Sequence, residues 1–151
     1  MANPFPFTAG QVLTAAQMNG IGETTSFTPS FTQFTLGNGT VNYATYVRVQ
    51  NLIVVQLKVT LGSTSSFAGS SSFTCPVTPD ETSQFAIGVV RFNDATGEEY
   101  LGVANMSAGN IQMRPLNAGV TYLQFTTTSS VIPFTWATND SFTLTATYRV
   151  A

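Results

Sequence analysis

From residue 31 to the end of the chain, apolar and polar positions alternate with a period of two, the signature of strands with one face buried. Phe31-Thr32-Gln33-Phe34-Thr35-Leu36 leads into Gly37-Asn38-Gly39, a tight-turn sequence, and then into a long run over 40–50. This spacing predicts a hairpin. Within its second strand Val41, Tyr43, Val47 and Val49 fall on one face with Thr45, and Asn42, Tyr46 and Arg48 on the other. Gln50-Asn51 supplies the next turn. Over 52–61 the alternation is regular, with Ile53, Val55, Leu57, Val59 and Leu61 set against Gln56, Lys58 and Thr60, which predicts a second hairpin and hence a meander.

The Ser- and Gly-rich stretch over 62–72 reads as a long loop around Phe67, and 73–77 as a short edge strand ended by Pro76. Strands are expected over 84–92 and 99–104, joined as a third hairpin by Asn93-Asp94-Ala95-Thr96-Gly97-Glu98. Further strands are expected over 111–114, 120–125 and 141–150. In the last, Phe142, Leu144, Ala146, Tyr148 and Val150 face one way and Thr143, Thr145, Thr147 and Arg149 the other. Short strands at this spacing predict an all-β, antiparallel β-sandwich of jelly-roll-like type over 23–151.

Residues 1–22 follow a different pattern. Asn3-Pro4-Phe5-Pro6-Phe7 is extended and proline-stiffened, with two rings that have nothing local to pack against. Thr14 and Gln17 have capping-box spacing, and Leu13, Ala16, Gln17 and Met18 make one or two helical turns before Gly20 and Gly22. A helix this short does not persist alone. The segment is expected to be an anchoring arm, with Phe5, Phe7, Leu13 and Met18 as the side chains that dock on a partner, and packing on its own domain is the competing role.

Composition narrows the function. Charged residues make up 8% of the chain, against about 25% in ordinary domains, so hydroxyls and amides must solvate the surface. Such a surface suits a protein packed among copies of itself, where unpaired buried charge is costly. Apolar residues such as Tyr46 on nominally polar strand faces point the same way. With a net charge of −2 and only Arg48, Lys58, Arg91, Arg114 and Arg149 as cations, no basic patch is available for nucleic acid. The start of the sequence lacks the features of a cleavable secretory signal, and no apolar run is long enough for membrane insertion.

Histidine is absent, which removes every Ser-His and Cys-His catalytic arrangement. The single cysteine, Cys75, can form neither an intrachain disulfide nor a zinc site, and its place at the end of an apolar strand marks it as structural. Glu23, Asp80, Glu81, Asp94, Glu98, Glu99 and Asp140 all fall in turns or at strand ends. Asp94, Glu98 and Glu99 share one loop but lack the dense alternation of a calcium loop. Trp136 and the tyrosines are candidate sugar-stacking rings, with core packing the competing role. No catalytic, cofactor-binding or metal residue is assigned, and no cofactor is implied.

The stretch Phe7-Thr8-Ala9-Gly10-Gln11-Val12-Leu13-Thr14-Ala15-Ala16-Gln17-Met18-Asn19 resembles the F-x-A-G-x-x-L-T-A-A-x-(M/L)-N opening of many tailed-phage tail-fibre, minor-tail and head-appendage proteins. Residues 31–76, with Leu36-Gly37-Asn38-Gly39-Thr40 and Leu61-Gly62-Ser63-Thr64-Ser65, are similar to a β-domain of the same proteins. The resemblance implies a homotrimeric β-rich knob, attached to other virion proteins through the arm and displayed on the virion surface after assembly in the host cytoplasm. The chain has no repeats and no heptad or collagen-like shaft, which favours a stubby capsid decoration, head fibre or tail-tip protein over a long fibre. Adhesion to a host-surface glycan is the alternative role, and a glycan-cleaving enzyme the third.

Overall fold

The computed structural model describes residues 9–10, 12, 14–19, 21–117, 119 and 123–151. Among these, the only helix is α1 (Ala15–Asn19). The strands are β1 (Thr24–Ser26), β2 (Phe31–Thr35), β3 (Thr40–Val49), β4 (Leu52–Thr60), β5 (Ser66–Thr74), β6 (Ser83–Asn93), β7 (Glu99–Ser107), β8 (Asn110–Asn117), β9 (Gln124–Phe125) and β10 (Ser141–Arg149). They form one antiparallel sheet in the order β1-β3-β4-β10-β6-β7-β8-β5-β2, with β9 paired to β8 off this path. The all-β sandwich expected from the sequence is the observed fold class.

The sheet curls until its two ends meet. β1 and β2 sit at opposite ends of the strand order, yet only residues 27–30 separate them. Within that link the Phe27 N–H donates to the Ala44 carbonyl of β3 (3.0 Å), and the Ser30 carbonyl accepts from the Thr74 N–H of β5 (3.0 Å). The Phe27 ring fills the seam, edge-on to Tyr46 (6.2 Å between centroids) and stacked on Phe73 (6.5 Å). One bent segment thus joins both walls and satisfies backbone groups that a free edge would expose.

β4 and β10 form the spine of the core. The alternation read from the sequence holds on both: Ile53, Val55, Leu57, Val59 and Leu61 are buried, as are Phe142, Leu144, Ala146, Tyr148 and Val150. The opposite wall contributes Phe34 from β2 and Phe67 from β5. Phe34 meets Phe142 edge to face across the interior at 5.6 Å and packs on Phe67 at 4.6 Å. Each fully buried ring of this kind contributes about 1.5–3 kcal/mol of transfer free energy.

Four local expectations fail. First, β2 does not pair with β3; its partner is β5. The Gly37-Asn38-Gly39 turn is real, with Gly39 N–H bonded to Leu36 C=O at 2.9 Å, but it carries the chain from one wall to the other instead of closing a hairpin. It is held against the 62–65 turn, which makes the same crossing between β4 and β5. A Cβ on Gly62 would lie 2.6 Å from the Asn38 carbonyl carbon, so only glycine lets the two corners approach this closely.

Second, 66–72 is strand, not loop. Phe67, Gly69, Ser71 and Phe73 share one face of β5, but two of the four are too small to register as apolar alternation. The hydroxyl of buried Thr128 supports this thin stretch, accepting from Ser71 N–H (2.9 Å) and donating to Gly69 C=O (2.8 Å). Third, β5 is an interior strand between β8 and β2, so the segment ending before Pro76 is not an edge.

Fourth, the faces of β3 are exchanged. A bulge between Val41 and Tyr43 adds a residue on that strand, after which even-numbered positions point inward. Ala44 is buried and Tyr46 packs on the core, while Tyr43 and Val49 stand outside, about 40% exposed. Tyr46 is therefore half-buried against the core and does not stand on a polar outer face. The 84–92 and 99–104 segments do form the expected hairpin as β6 and β7. Of the expected 120–125 strand, β9 is the described part, and 120–122 lie outside the described residues.

Candidate functional site

The predicted anchors are described only in part. Phe5, Phe7 and Leu13 lie outside the described residues, and Met18, on α1, is 58% exposed. The capping box forms as its spacing requires: Gln17 N–H donates to Thr14 Oγ1 (3.2 Å), and Thr14 N–H donates back to Gln17 Oε1 (3.0 Å). Met18 is not part of the buried core, which among the described residues runs from Phe34 to Val150 with Phe27 and Phe31 packed against it.

A second apolar surface, on the outer face of β6 and β7, is absent from the sequence reading. Gln84 pairs with Met106 and Gly88 with Ala104, so three residues of β6 oppose Asn105 alone. Buried Asn105 fills this wide bulge, its Oδ1 accepting the Ala86 N–H at 3.0 Å. Ala86 adopts a left-handed φ of 55°. The bulge turns Phe85 outward, 66% exposed, where it meets Phe125 of β9 edge-on at 5.7 Å. Val89 and Leu101, each 57% exposed, extend the surface along the two strands. Gly88 anchors the bulge's far end, because any Cβ there would collide with the Thr145 carbonyl of β10 and sit 2.6 Å from Ala146 Cα. The sequence does carry a signal of the bulge: Phe85, Ile87 and Val89 are apolar on odd positions while Val90 and Phe92 are apolar on even ones, a change of phase that a regular strand does not show.

Several titratable groups have local structural partners. Asp94 Oδ1 accepts the Thr96 N–H (2.8 Å) and hydroxyl (2.7 Å), which hold its carboxyl below the usual range. Glu99 pairs with Arg91 across the hairpin at 3.1 Å, and Glu98 accepts the Tyr100 hydroxyl, which raises the phenol pKa. Fully buried Asp140 joins two loops through the Ala95 and Ala137 N–H groups. Among the described residues no three His, Cys, Asp or Glu side chains gather as a metal site.

Trp136 is core in function: it stacks on Phe67 at 4.1 Å, lies against Phe134 at 4.5 Å and donates its indole N–H to Ser129 C=O at 2.9 Å. Cys75 is half-buried beside Met106, with its Sγ 3.6 Å from the thioether sulfur. Burial pushes its thiol up to about 11, against a smaller opposing effect of Tyr148. That suppresses the thiolate a nucleophile or metal ligand needs.

The described residues thus offer apolar surfaces for contact. Compared with protein-family models, curated proteins and solved structures, the chain matches none of them.

Proposed function

We propose that this chain is a non-enzymatic structural protein of a tailed-phage virion: a short, trimeric surface appendage, either a capsid decoration or head fibre or a small tail-tip protein, attached through residues 1–22. The observation that carries this reading is the exposure of Met18 on α1. Among the described residues the buried core runs from Phe34 to Val150, whereas Met18, in the stretch that resembles the phage openings, is exposed. Anchors such as Phe5, Phe7, Leu13 and Met18 each gain roughly 1.5–3 kcal/mol when buried in a partner, less the cost of ordering the segment. That is enough to hold a small subunit on a particle present in many copies.

The outer face of β6 and β7 supports self-association. Phe85, Val89 and Leu101 place large apolar side chains on one face of a hairpin, the kind of patch that subunit contacts cover. The test is location and stoichiometry. Labelling the protein in purified particles and imaging them should find it on the virion surface, and light scattering of the full-length protein should give a trimer mass. Absence from particles would refute the virion reading, and a monomer at micromolar concentration would refute the trimer.

A further inference from the structure

Large apolar side chains stand on the outer face of the sheet at two separate places. One is the β6–β7 surface, where the bulge projects Phe85 and Phe125 holds its ring edge-on at 5.7 Å. The other is the end of the β3–β4 hairpin. There the exchange of faces on β3 turns Val47 and Val49 outward, where Val47 pairs across the ladder with Val54 and Val49 with Leu52. Two outward apolar pairs in succession are not what a solvated sheet face needs. Between the two places runs β10, whose outward residues are Thr143, Thr145, Thr147 and Arg149.

The two places have complementary shapes and charges. Phe85 is a projection, whereas beside Val47 and Val54 lies a hollow of about 120 Å³, with Thr24, Thr45, Tyr46 and Gln56 as its other walls. A closed cavity of about 150 Å³ takes benzene, so an open hollow of this size seats the leading part of one aromatic ring. Strands β3, β4 and β10 carry Arg48, Lys58 and Arg149 and no acidic residue, while the β6–β7 hairpin carries Asp94, Glu98 and Glu99 against Arg91 alone. Arg149 reaches Asp80 only at 3.8 Å and stays exposed. Phe85, Val89, Leu101 and half-buried Phe125 present roughly 350 Å² of apolar surface. That is most of the apolar share of the about 800 Å² each partner gives to a standard interface.

From these features we infer that a second copy of this chain covers each surface in a head-to-tail contact, with the Phe85 projection of one copy seated in the Val47–Val54 hollow of the next. A two-fold contact through the β6–β7 surface alone would set Phe85 near Phe85 and leave the β3–β4 pairs in water. One head-to-tail contact, repeated around a closed ring, covers both surfaces of every copy. The inference rests on the self-association proposed above and adds which surfaces meet.

The test is complementation between variants of the full-length protein, with mass read by light scattering and folding checked by circular dichroism melts. Phe85→Glu spoils the projection. Val54→Glu spoils the hollow, and Val49→Glu, at a more open position, is a second variant of that side should Val54→Glu fail to fold. The parent chain should be a trimer, and each variant alone a monomer at the same concentration. An equimolar mixture of Phe85→Glu with a folded hollow variant should give a dimer mass and no trimer, because the hollow variant's Phe85 still finds the intact hollow of its mate. A single contact lacks the added strength of ring closure, so the mixture is measured at about tenfold higher concentration. A folded hollow variant that remains a trimer, or a mixture that stays monomeric, would overturn the head-to-tail contact and leave self-association standing. A parent chain that is a monomer or a dimer would overturn the trimer itself, and the ring with it.

Discussion

Asn38 Oδ1 accepts two hydrogen bonds from Thr64, one from its backbone N–H and one from its hydroxyl, both at 2.9 Å, while the Asn38 N–H donates to Thr64 Oγ1 at 2.8 Å. These residues occupy the two corners at which the chain leaves one wall of the sandwich for the other. Because Asn38 is exposed, water competes for its partners, and Asn38→Ala is expected to cost about 1 kcal/mol. Gly62→Ala drives a methyl into the Asn38 backbone and should cost more, about 1–3 kcal/mol. Thermal melts of the two variants should rank in that order; equal and negligible shifts would show that the corners are not coupled.

Thr128 is buried, and its hydroxyl is the link that holds the small-residue stretch of β5. Thr128→Val preserves shape but removes the partner of the Ser71 N–H, so a loss of about 1–3 kcal/mol is expected in denaturant unfolding. Thr128→Ser, which restores the hydroxyl, should recover most of it. A valine variant as stable as the parent would mean that water reaches this site.

Legibility in the sequence followed side-chain size. Where a strand alternates large apolar with polar residues, as β4 and β10 do, inward and outward faces are evident from the residues alone. β5 was hidden because Gly69 and Ser71 occupy two of its inward positions. The pairing of β2 was hidden for another reason: a Gly-Asn-Gly turn has the same local chemistry whether it closes a hairpin or rounds a corner, and only the distant contact with 62–65 decides between them. The bulges of β3 and β6 shift the alternation by backbone insertion, which leaves at most a change of phase as its trace. Tyr100 meets Ile132 and Pro133 across one hollow although they are distant in the chain, and no local pattern announces it.

Cys75 should react slowly with thiol reagents. With its pKa raised to about 11 by burial, far less thiolate is present at pH 8 than for an ordinary cysteine, and alkylation by iodoacetamide should run about a hundredfold slower than for a free thiol. The rate should rise with pH up to that raised value and accelerate in urea. Alkylation at an ordinary thiol rate in the native protein would contradict the burial of this site.

If the β6–β7 face is a subunit contact, Phe85→Glu combined with Val89→Glu places two charges where copies would meet. Both side chains are more than half exposed in the single chain, so the melting temperature of the monomer should change little while the trimer dissociates. A trimer that persists in light scattering would move the contact elsewhere on the molecule.

The central claim is that residues 1–22 attach a body that folds without them, and deleting those residues tests it most directly. Every buried core residue among those described lies beyond the deletion, so a chain beginning at Glu23 should keep its cooperative melt, with its midpoint within about 5 °C of the full-length protein, equivalent to roughly 1 kcal/mol for a domain of this size. The truncated protein should at the same time fail to enter particles, and Phe5→Ala with Phe7→Ala should reproduce most of that failure. A truncated protein that unfolds or aggregates, or one that is incorporated as well as the full-length chain, would contradict the account.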